Sequence, residues 1–578
     1  MSAATGPLPT AQTPAPAEAA APTAQTPAPA AQAPSADRPV DRDDPAGSAP
    51  VASGHPTPRR VSIITLGCGR NEVDTEQLAG LFHRDGATIV DDPGEAEVVL
   101  VNTCTFIAPA KQESIDTVLA ACQLKDEADP QAVIVVGCMA QRYPDELAEA
   151  IPEADAIVGF EGYPGLPAIV EGVLAGRTTE RVIGVGAAHP GSRPARRDLP
   201  LLLQPPTAEP AVEPPDPGAE TAPVTAAAGR TTDLAGSGQD DLDRIPASGP
   251  RFPLRQLGVD GSRRPWAYLK IASGCDRLCT FCAIPSFRGR FRSRPLDELV
   301  SEARWLAEQG IRELVLVSEN TTSWGKDLPG GRDLQPALLV ALAAVDGVER
   351  IRLMYLQPAE LTDALLTAIA EVPEVASYYD LSLQHVSGAV VERMGRSGDA
   401  ARFAALIERA RSLDPQAVFR SNFILGFPGE TERDVARLEA FLTEQRLDWA
   451  GFFTFSAEDG TPSATMPGQV PGEVALERLR RVSDLQERLA AAAAARYVGR
   501  HLEVLVDEVE DDPSDGVRTI ARSYREAPDT DGDITLVASD GTPAAVPAGR
   551  ILTARVAESV GVDLVAEVAP SAAGGTRG

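Results

Sequence analysis

No stretch of this chain approaches the roughly 18 uninterrupted apolar residues that a membrane span requires, which excludes a spanning helix. No secretory leader is expected either. The Ala/Pro/Thr-rich amino terminus has no basic region followed by an apolar one. Cysteine is scarce: seven in 578 residues, an odd number without the dense framework of a small secreted domain. These absences point to a reduced, cytoplasmic protein. Positive charge is short too. The 53 Lys and Arg against 83 Asp and Glu leave a formal net charge of -30, which argues against a generic nucleic-acid coat and for solubility or a basic partner.

Large apolar side chains are almost absent from residues 1–59, a run of Ala, Pro, Thr and Gln. Such a segment cannot bury enough surface to offset its ordering entropy, so a disordered tail is expected. Residues 188–262, rich in Pro, Gly and acids, read as a flexible linker or insertion, and 570–578 as a second tail.

What remains is patterned. Residues 61–68, 98–104 and 133–138 are short β-branched runs, each followed by a helical stretch, and each ends in cysteine: Cys68, Cys104 and Cys138. That alternation predicts a parallel α/β domain over 60–187. In a parallel sheet the carboxyl ends of the strands share one edge, where open α/β folds place their ligands. Three cysteines at equivalent strand ends therefore read as a site. Cys122, inside a helical run, reads as a buried core residue.

Strand–helix alternation resumes over 263–496 for six units, with strands at 267–272, 313–317, 350–355, 378–383, 417–425 and 451–455. Six βα units predict a partial TIM-type barrel with its chemistry on the loops after the strands. The loop after the first strand reads GCDRLCTFCAIP, placing Cys275, Cys279 and Cys282 in a C-x3-C-x2-C spacing with Phe281 before the third cysteine. Three thiolates can wrap one iron–sulfur cage, yet a full cage wants four ligands, so one iron is left open for substrate or cofactor. Residues 497–569 change to short strands with turns, a small antiparallel barrel.

The cysteine loop resembles that of the radical S-adenosylmethionine (SAM) superfamily. The three-part layout is similar to the methylthiotransferase family, whose last domain is a TRAM-like barrel. The motifs that carry the resemblance are LGCGRNEVDTE (66–76), VNTCTFI (101–107), VGCMAQR (136–142), the stretch 268–295 around the cysteine loop, DLSLQHVSGAVVERMGR (380–396) and SNFILGFPGETERD (421–434). The resemblance implies a [4Fe-4S] cluster on Cys275, Cys279 and Cys282, whose open iron chelates SAM and whose electron cleaves it to a 5′-deoxyadenosyl radical. It implies a second [4Fe-4S] cluster on Cys68, Cys104 and Cys138 that presents a sulfur to be methylated, with two SAM used per turnover. Reduced flavodoxin or ferredoxin is the implied electron donor.

Further residues carry over from the family pattern. Glu319 stands where the family surrounds the SAM amino group, although Glu319-Asn320 departs from its usual Gln-Asp or Gln-Asn. Phe281, Gln384, His385 and Gly426 are the other expected cofactor contacts, with Pro428 and Gly429 in the same turn as Gly426. Ser382 replaces a more usual proline. The basic run Arg288, Arg292, Arg294 reads either as a solvated face or as a contact to a substrate or SAM carboxylate.

The family divides by substrate, one branch acting on an adenosine of tRNA and another on an aspartate of small-subunit ribosomal protein S-twelve. Over 497–578 there are 15 Asp and Glu against 7 Arg and no Lys, a charge of about -8 (7 - 15). A barrel that bound RNA would neutralise phosphates with Lys and Arg. An acidic one suits a basic ribosomal protein, and the segment 521–533 (ARSYREAPDTDGD) resembles that branch too. The expectation is β-methylthiolation of the aspartate, without direct tRNA binding. The alternatives are tRNA adenosine methylthiotransfer and a non-catalytic iron–sulfur scaffold or redox sensor on the ribosome.

Overall fold

Strands β1 (Arg60–Thr65), β2 (Thr88–Ile89), β3 (Val98–Thr103), β4 (Ala132–Val136), β5 (Ala156–Val158) and β6 (Val182–Ile183) form one parallel sheet in the order β2-β1-β3-β4-β5-β6. The structure, a computed structural model, describes residues 59–178, 180–185, 255–259, 264–512 and 516–568. The expected tails at 1–59 and 570–578 and the linker at 188–262 lie outside these, apart from Arg59 and residues 255–259. Every residue of β3 and β4 is buried, because apolar clusters cover both faces of the sheet; this is why these strands read as continuous apolar runs. The three cysteine-bearing strands are the adjacent trio β1, β3 and β4. Helices α1 (Gly69–Arg84), α2 (Ala108–Glu127) and α3 (Gly137–Arg142) leave their carboxyl ends.

The second domain begins with β7 (Trp266–Lys270), followed by a small antiparallel pair, β8 (Ala272–Ser273) with β9 (Arg292–Ser293). Strands β10 (Glu313–Val317), β11 (Arg350–Leu353), β12 (Tyr378–Gln384), β13 (Val418–Leu425) and β14 (Trp449–Thr454) complete it. They pair in parallel as β7-β10-β11 and β12-β13-β14, and the halves meet through bridges Ile351–Val375 and Leu356–Leu381. This is the open six-unit barrel that the alternation predicts. Residues 255–259 are docked rather than loose: Arg255, buried, is held by Glu76 of α1 and by Glu302 of the barrel at 2.6 Å.

Helix Gly472–Ala495 leads into β15 (His501–Asp512), β16 (Gly516–Arg522), β17 (Ile534–Ala538), β18 (Ile551–Val560) and β19 (Asp563–Val568), a closed barrel in the order β15-β16-β17-β19-β18. One pair, β17–β19, runs parallel, a detail that strand alternation cannot reveal because it fixes faces and not directions. The segment between β16 and β17 does not hang in solvent. Arg352 donates to the carbonyls of Ser523 and Tyr524, Trp449 Nε1 to that of Arg525, and Tyr378 and Arg420 both engage Asp531. Glu313, Tyr378 and Trp449 each open their strand, so this segment stoppers the amino-terminal mouth of the large barrel.

Candidate active site

Each cysteine of the first trio sits where its strand hands over to a helix. Cys68 is the residue before α1, with its carbonyl accepting from Asn71 N at 2.7 Å. Gly67 has φ +99°, and a Cβ there would lie 2.9 Å from both Cβ and Sγ of Cys104; the glycine is what lets the two loops close on each other. Gly137, at φ +93°, would put a Cβ 2.5 Å from Asn102 Oδ1 and 2.6 Å from the backbone of Thr103, so the turn into Cys138 also admits only glycine. Asn71 laces the loops together, donating to the carbonyls of Leu66 and Thr103 while its Oδ1 lies 3.6 Å from Cys138 Sγ. Ser114 of α2 brackets Cys104, accepting from its N–H and donating to its carbonyl.

The second trio hangs from the β8–β9 pair. Gly274 (φ +78°) passes so close to Arg290 that a Cβ would overlap its carbonyl oxygen. Cys275 N donates to Gly289 O, Cys282 N to Cys279 O, and Thr280 is pinned to the carbonyls of Met394 and Arg393. Phe281 packs edge-on to Phe427, ring centroids 6.4 Å apart, in an apolar cluster with Val390 and Met394.

Two arginines cross between the trios. Arg70, beside Cys68, donates Nε to Cys68 Sγ at 3.3 Å and Nη1 to Ser318 O at the end of β10, and it stacks over Tyr355 at 5.2 Å. Arg288 travels the other way. From the short helix Ile284–Arg288 it donates to Cys138 Sγ at 3.2 Å, Asn71 Oδ1 at 2.9 Å and Asp74 at 3.0 Å, and it stacks on Phe160. Between them lies Glu319, its side chain 1 % exposed, 3.9 Å from Arg70 Nε and 4.0 Å from Arg288 Nε. Neither of its carboxylate oxygens has a hydrogen-bond donor.

Burial raises the thiols of Cys104 (to about 11), Cys138, Cys275 and Cys282 (to about 12). At Cys68 burial acts the same way, but Arg70 and Arg288 outweigh it and hold that thiol below its ordinary value. The Arg70 charge also favours the thiolate of Cys282, so one guanidinium acts on both trios. Among the described residues no three His, Cys, Asp or Glu side chains close on a single ion. Three soft thiolates in each trio are the donor set that an iron–sulfur cage takes. An orphaned carboxylate beside them fits the ammonium of SAM.

The remaining expected residues divide. Gly426 (φ +75°) opens a turn whose N–H is gripped by both carboxylate oxygens of Glu430 at 3.0 Å; Gly429 follows at φ +83°. Gln384 is half-buried, at φ +69°, where β12 slips register against β13. His385 is fully buried: its Nδ1 accepts from the N–H groups of Val386 and Ser387, and Nε2 faces Glu430 Oε2 at 3.5 Å. Of the basic run, Arg292 is exposed and Arg294 turns away to Glu302 at 2.7 Å. Cys122 packs in the core of the first domain. Sequence reasoning missed Arg70 and Arg396. Arg396 donates to Cys279 Sγ at 3.5 Å, to Gln357 and to Ser382 O, and both arginines lie within the motifs that carry the resemblance. A cavity of about 1450 Å³ opens beside Cys68, walled by Gly69, Trp266, Tyr268, Tyr355 and, from the small barrel, Asp529.

Family models match in three places: the uncharacterized protein family UPF0004 at 60–159, the radical SAM superfamily at 269–442 and the TRAM domain at 498–569. The chain is 46% identical over 520 residues to the ribosomal protein uS12 methylthiotransferase RimO of Kineococcus radiotolerans, covering 90% of this chain and 98% of that protein. Against the protein of the same name from Streptomyces coelicolor the identity is 47% over 521 residues, covering 89% and 97%. Among solved structures, the radical SAM methyltransferase TsrM from Kitasatospora setae aligns at 17% identity with a TM-score of 0.44, over 70% of this chain and 74% of that one.

Proposed function

The chain belongs to the family of ribosomal protein uS12 methylthiotransferases, RimO, and from that premise we propose how its residues divide the work. The protein is a radical SAM transferase that methylthiolates uS12, using [4Fe-4S] clusters and SAM. In our reading Cys275, Cys279 and Cys282 hold the SAM-binding cluster and Cys68, Cys104 and Cys138 the sulfur-presenting one, and the target is the β-carbon of a uS12 aspartate. The observation that carries this division is reciprocal: Arg70 leaves one trio for the other domain and Arg288 leaves the other domain for that trio.

An unactivated C–H bond offers no acid–base route, and the bound clusters and SAM supply the one-electron chemistry and the sulfur. The chain's own residues prepare the site. Glu319 offers the SAM ammonium a dry carboxylate, and Arg396, beside Cys279 with no carboxylate among its hydrogen-bond partners in the described residues, suits the SAM carboxylate. His385 acts at one remove. Because its Nδ1 accepts two amide N–H groups, its proton sits on Nε2 and faces Glu430, which in turn fixes the N–H of Gly426. Phe281 holds its loop against Phe427 next to that turn. Where the domains meet, Lys111 and Arg142 converge on the buried Glu458 and hold the junction closed.

The small barrel supports uS12 rather than RNA. Two of its arginines, Arg522 and Arg525, are buried in contacts with the large barrel and its own stopper segment, while Glu503, Glu508, Glu510 and Glu558 face solvent. A reduced flavodoxin or ferredoxin as electron donor completes the proposal.

The test is anaerobic reconstitution with SAM, a reductant and uS12. Wild type forms 5′-deoxyadenosine and adds a methylthio mass to uS12. Cys275→Ala loses both, and Cys68→Ala keeps the first and loses the second. Identical behaviour of the two variants in folded protein would sink the division of labour.

A further inference from the structure

Two carboxylates must be received between the trios if the substrate is an aspartate: that of SAM and that of the target residue. Most interior arginines of this chain already have a carboxylate at hydrogen-bond distance. Arg288 has Asp74 at 3.0 Å, Arg294 has Glu302 at 2.7 Å, Arg420 has Asp380 at 3.0 Å and Arg478 has Glu430 at 2.9 Å. Arg70 does not. Its nearest carboxylate, Glu319, stands off at 3.9 Å, and its Nη2 has no acceptor among the described residues. The side chain keeps 13 % of its surface open.

We propose that Arg70 is the specificity residue that receives the carboxylate of the substrate aspartate, an assignment that rests on the uS12 reading above. Three observations favour Arg70 over Arg396. The sulfur must be delivered to a carbon next to the Cys68–Cys104–Cys138 trio, and Arg70 touches Cys68 whereas Arg396 touches Cys279. The guanidinium is also fixed from below. It lies on the ring of Tyr355, a non-glycine residue at φ +59° whose N–H is tied to Asp380 at 2.8 Å; strained backbone of this kind persists only where its surroundings hold it, and it gathers at functional sites. Finally, Tyr355 and Cys68 both line the large cavity that reaches Asp529 of the acidic barrel. A guanidinium presents its donors as a planar fork that fits a carboxylate, and a lysine in its place keeps charge but loses the fork. A site built around such a donor rejects an analogue that cannot accept in the same way.

The experiment compares uS12 with a version carrying Asn at the modified position, on wild type, Arg70→Lys and Arg70→Gln. Methylthio product is read by mass spectrometry and affinity by anisotropy of labelled uS12 peptides spanning the modified position. Wild type is expected to favour Asp by more than about 100-fold, Arg70→Lys by about 10-fold, and Arg70→Gln to lose the preference. Electron paramagnetic resonance of the Cys68 trio's cluster separates recognition from mere support of Cys68. If Arg70→Gln keeps the preference, or loses both substrates equally with a changed cluster spectrum, the assignment is wrong. If wild type modifies neither uS12 version, the substrate reading itself has failed and Arg70 falls with it.

Discussion

Arg288 lies six residues past Cys282 in the barrel's cysteine loop, yet its Nη2 donates to Cys138 Sγ at 3.2 Å in the amino-terminal domain. Its guanidinium is also shared with Asn71 and Asp74 of α1, and Asp74 is itself paired with Lys270 of β7 at 2.5 Å. The barrel therefore helps to build the site in the neighbouring domain.

Arg288→Ala should weaken iron binding at the Cys68, Cys104 and Cys138 trio by on the order of 10-fold, as loss of a partner outside the ligand set commonly does. The clean background is a chain in which Cys275, Cys279 and Cys282 are all alanine, so that only one trio loads. Iron content after desalting reads the effect. Arg288→Lys should recover part of it, since the charge returns without the fork. Unchanged iron retention in Arg288→Ala would falsify the proposed support.

Glu458 follows the last barrel strand and accepts from Lys111 at 3.1 Å and Arg142 at 2.9 Å, all three side chains no more than 4 % exposed. Removing the carboxylate leaves two cations buried against each other, and breaking such a set costs about 3–5 kcal/mol. Glu458→Ala should lower the urea midpoint accordingly. It should also expose the junction between the domains to protease. The comparison is Glu439→Ala, which removes a partly exposed pair with Arg481 and should cost less than about 1 kcal/mol. Equal shifts in the two variants would count against a buried seal.

The cysteine spacing, the strand–helix alternation and the three strand ends were legible because each is a local pattern: a loop length, a period, a position. Arg70 was not, and Arg288 was legible only as one member of a basic run, because both act across the domain boundary. A basic run shows charge but not direction. Arg292 points to solvent, Arg294 to Glu302, and only Arg288 reaches a cysteine. His385 carries over from the family pattern as a cofactor contact, and the sequence could not show that its ring turns inward to two amides and Glu430. The segment 521–533 resembled a substrate branch in sequence. Its buried residues also dock the small barrel onto the large one, a role set by long-range contacts such as Tyr378–Asp531 that the sequence does not display.

That docking has a pH signature. Glu313, fully buried, is hydrogen-bonded by Arg352 at 2.8 Å and by Arg522 of the small barrel at 3.0 Å. Burial alone would raise its carboxyl, but Arg522, Arg352 and Arg350 outweigh it and lower it from 4.5 to about 2. A group held below its unfolded value stabilises the fold above that value, and the contribution drains away as pH falls from about 4.5 toward 2. The shift corresponds to about 3 kcal/mol. Wild type should therefore lose stability across this window, measured by urea unfolding at fixed pH steps. Glu313→Gln should be weaker at neutral pH and flatter below 4.5. A parallel pH profile in the variant would show that Glu313 does not carry the effect.

The Gly426 turn gives the sharpest steric test. A Cβ at Gly426 would lie 2.4 Å from Ala475 Cβ and 3.3 Å from its Cα, on the helix Gly472–Ala495 that backs the strand end. At φ +75° the alanine backbone is strained as well, at a cost of about 1–2 kcal/mol. Gly426→Ala must therefore push the turn away from the helix, loosening the N–H that Glu430 grips and moving Phe427, which packs on Phe281 beside Cys282. SAM affinity should fall by about 10-fold or more, while the Cys68 trio, which this turn does not touch, keeps its iron. Ala475→Gly in the same chain removes the clashing Cβ, and the double variant should regain most of the lost SAM affinity. Calorimetric titration of SAM into the four chains reads the cycle. If Ala475→Gly restores nothing, the turn is held by something other than its fit against that helix.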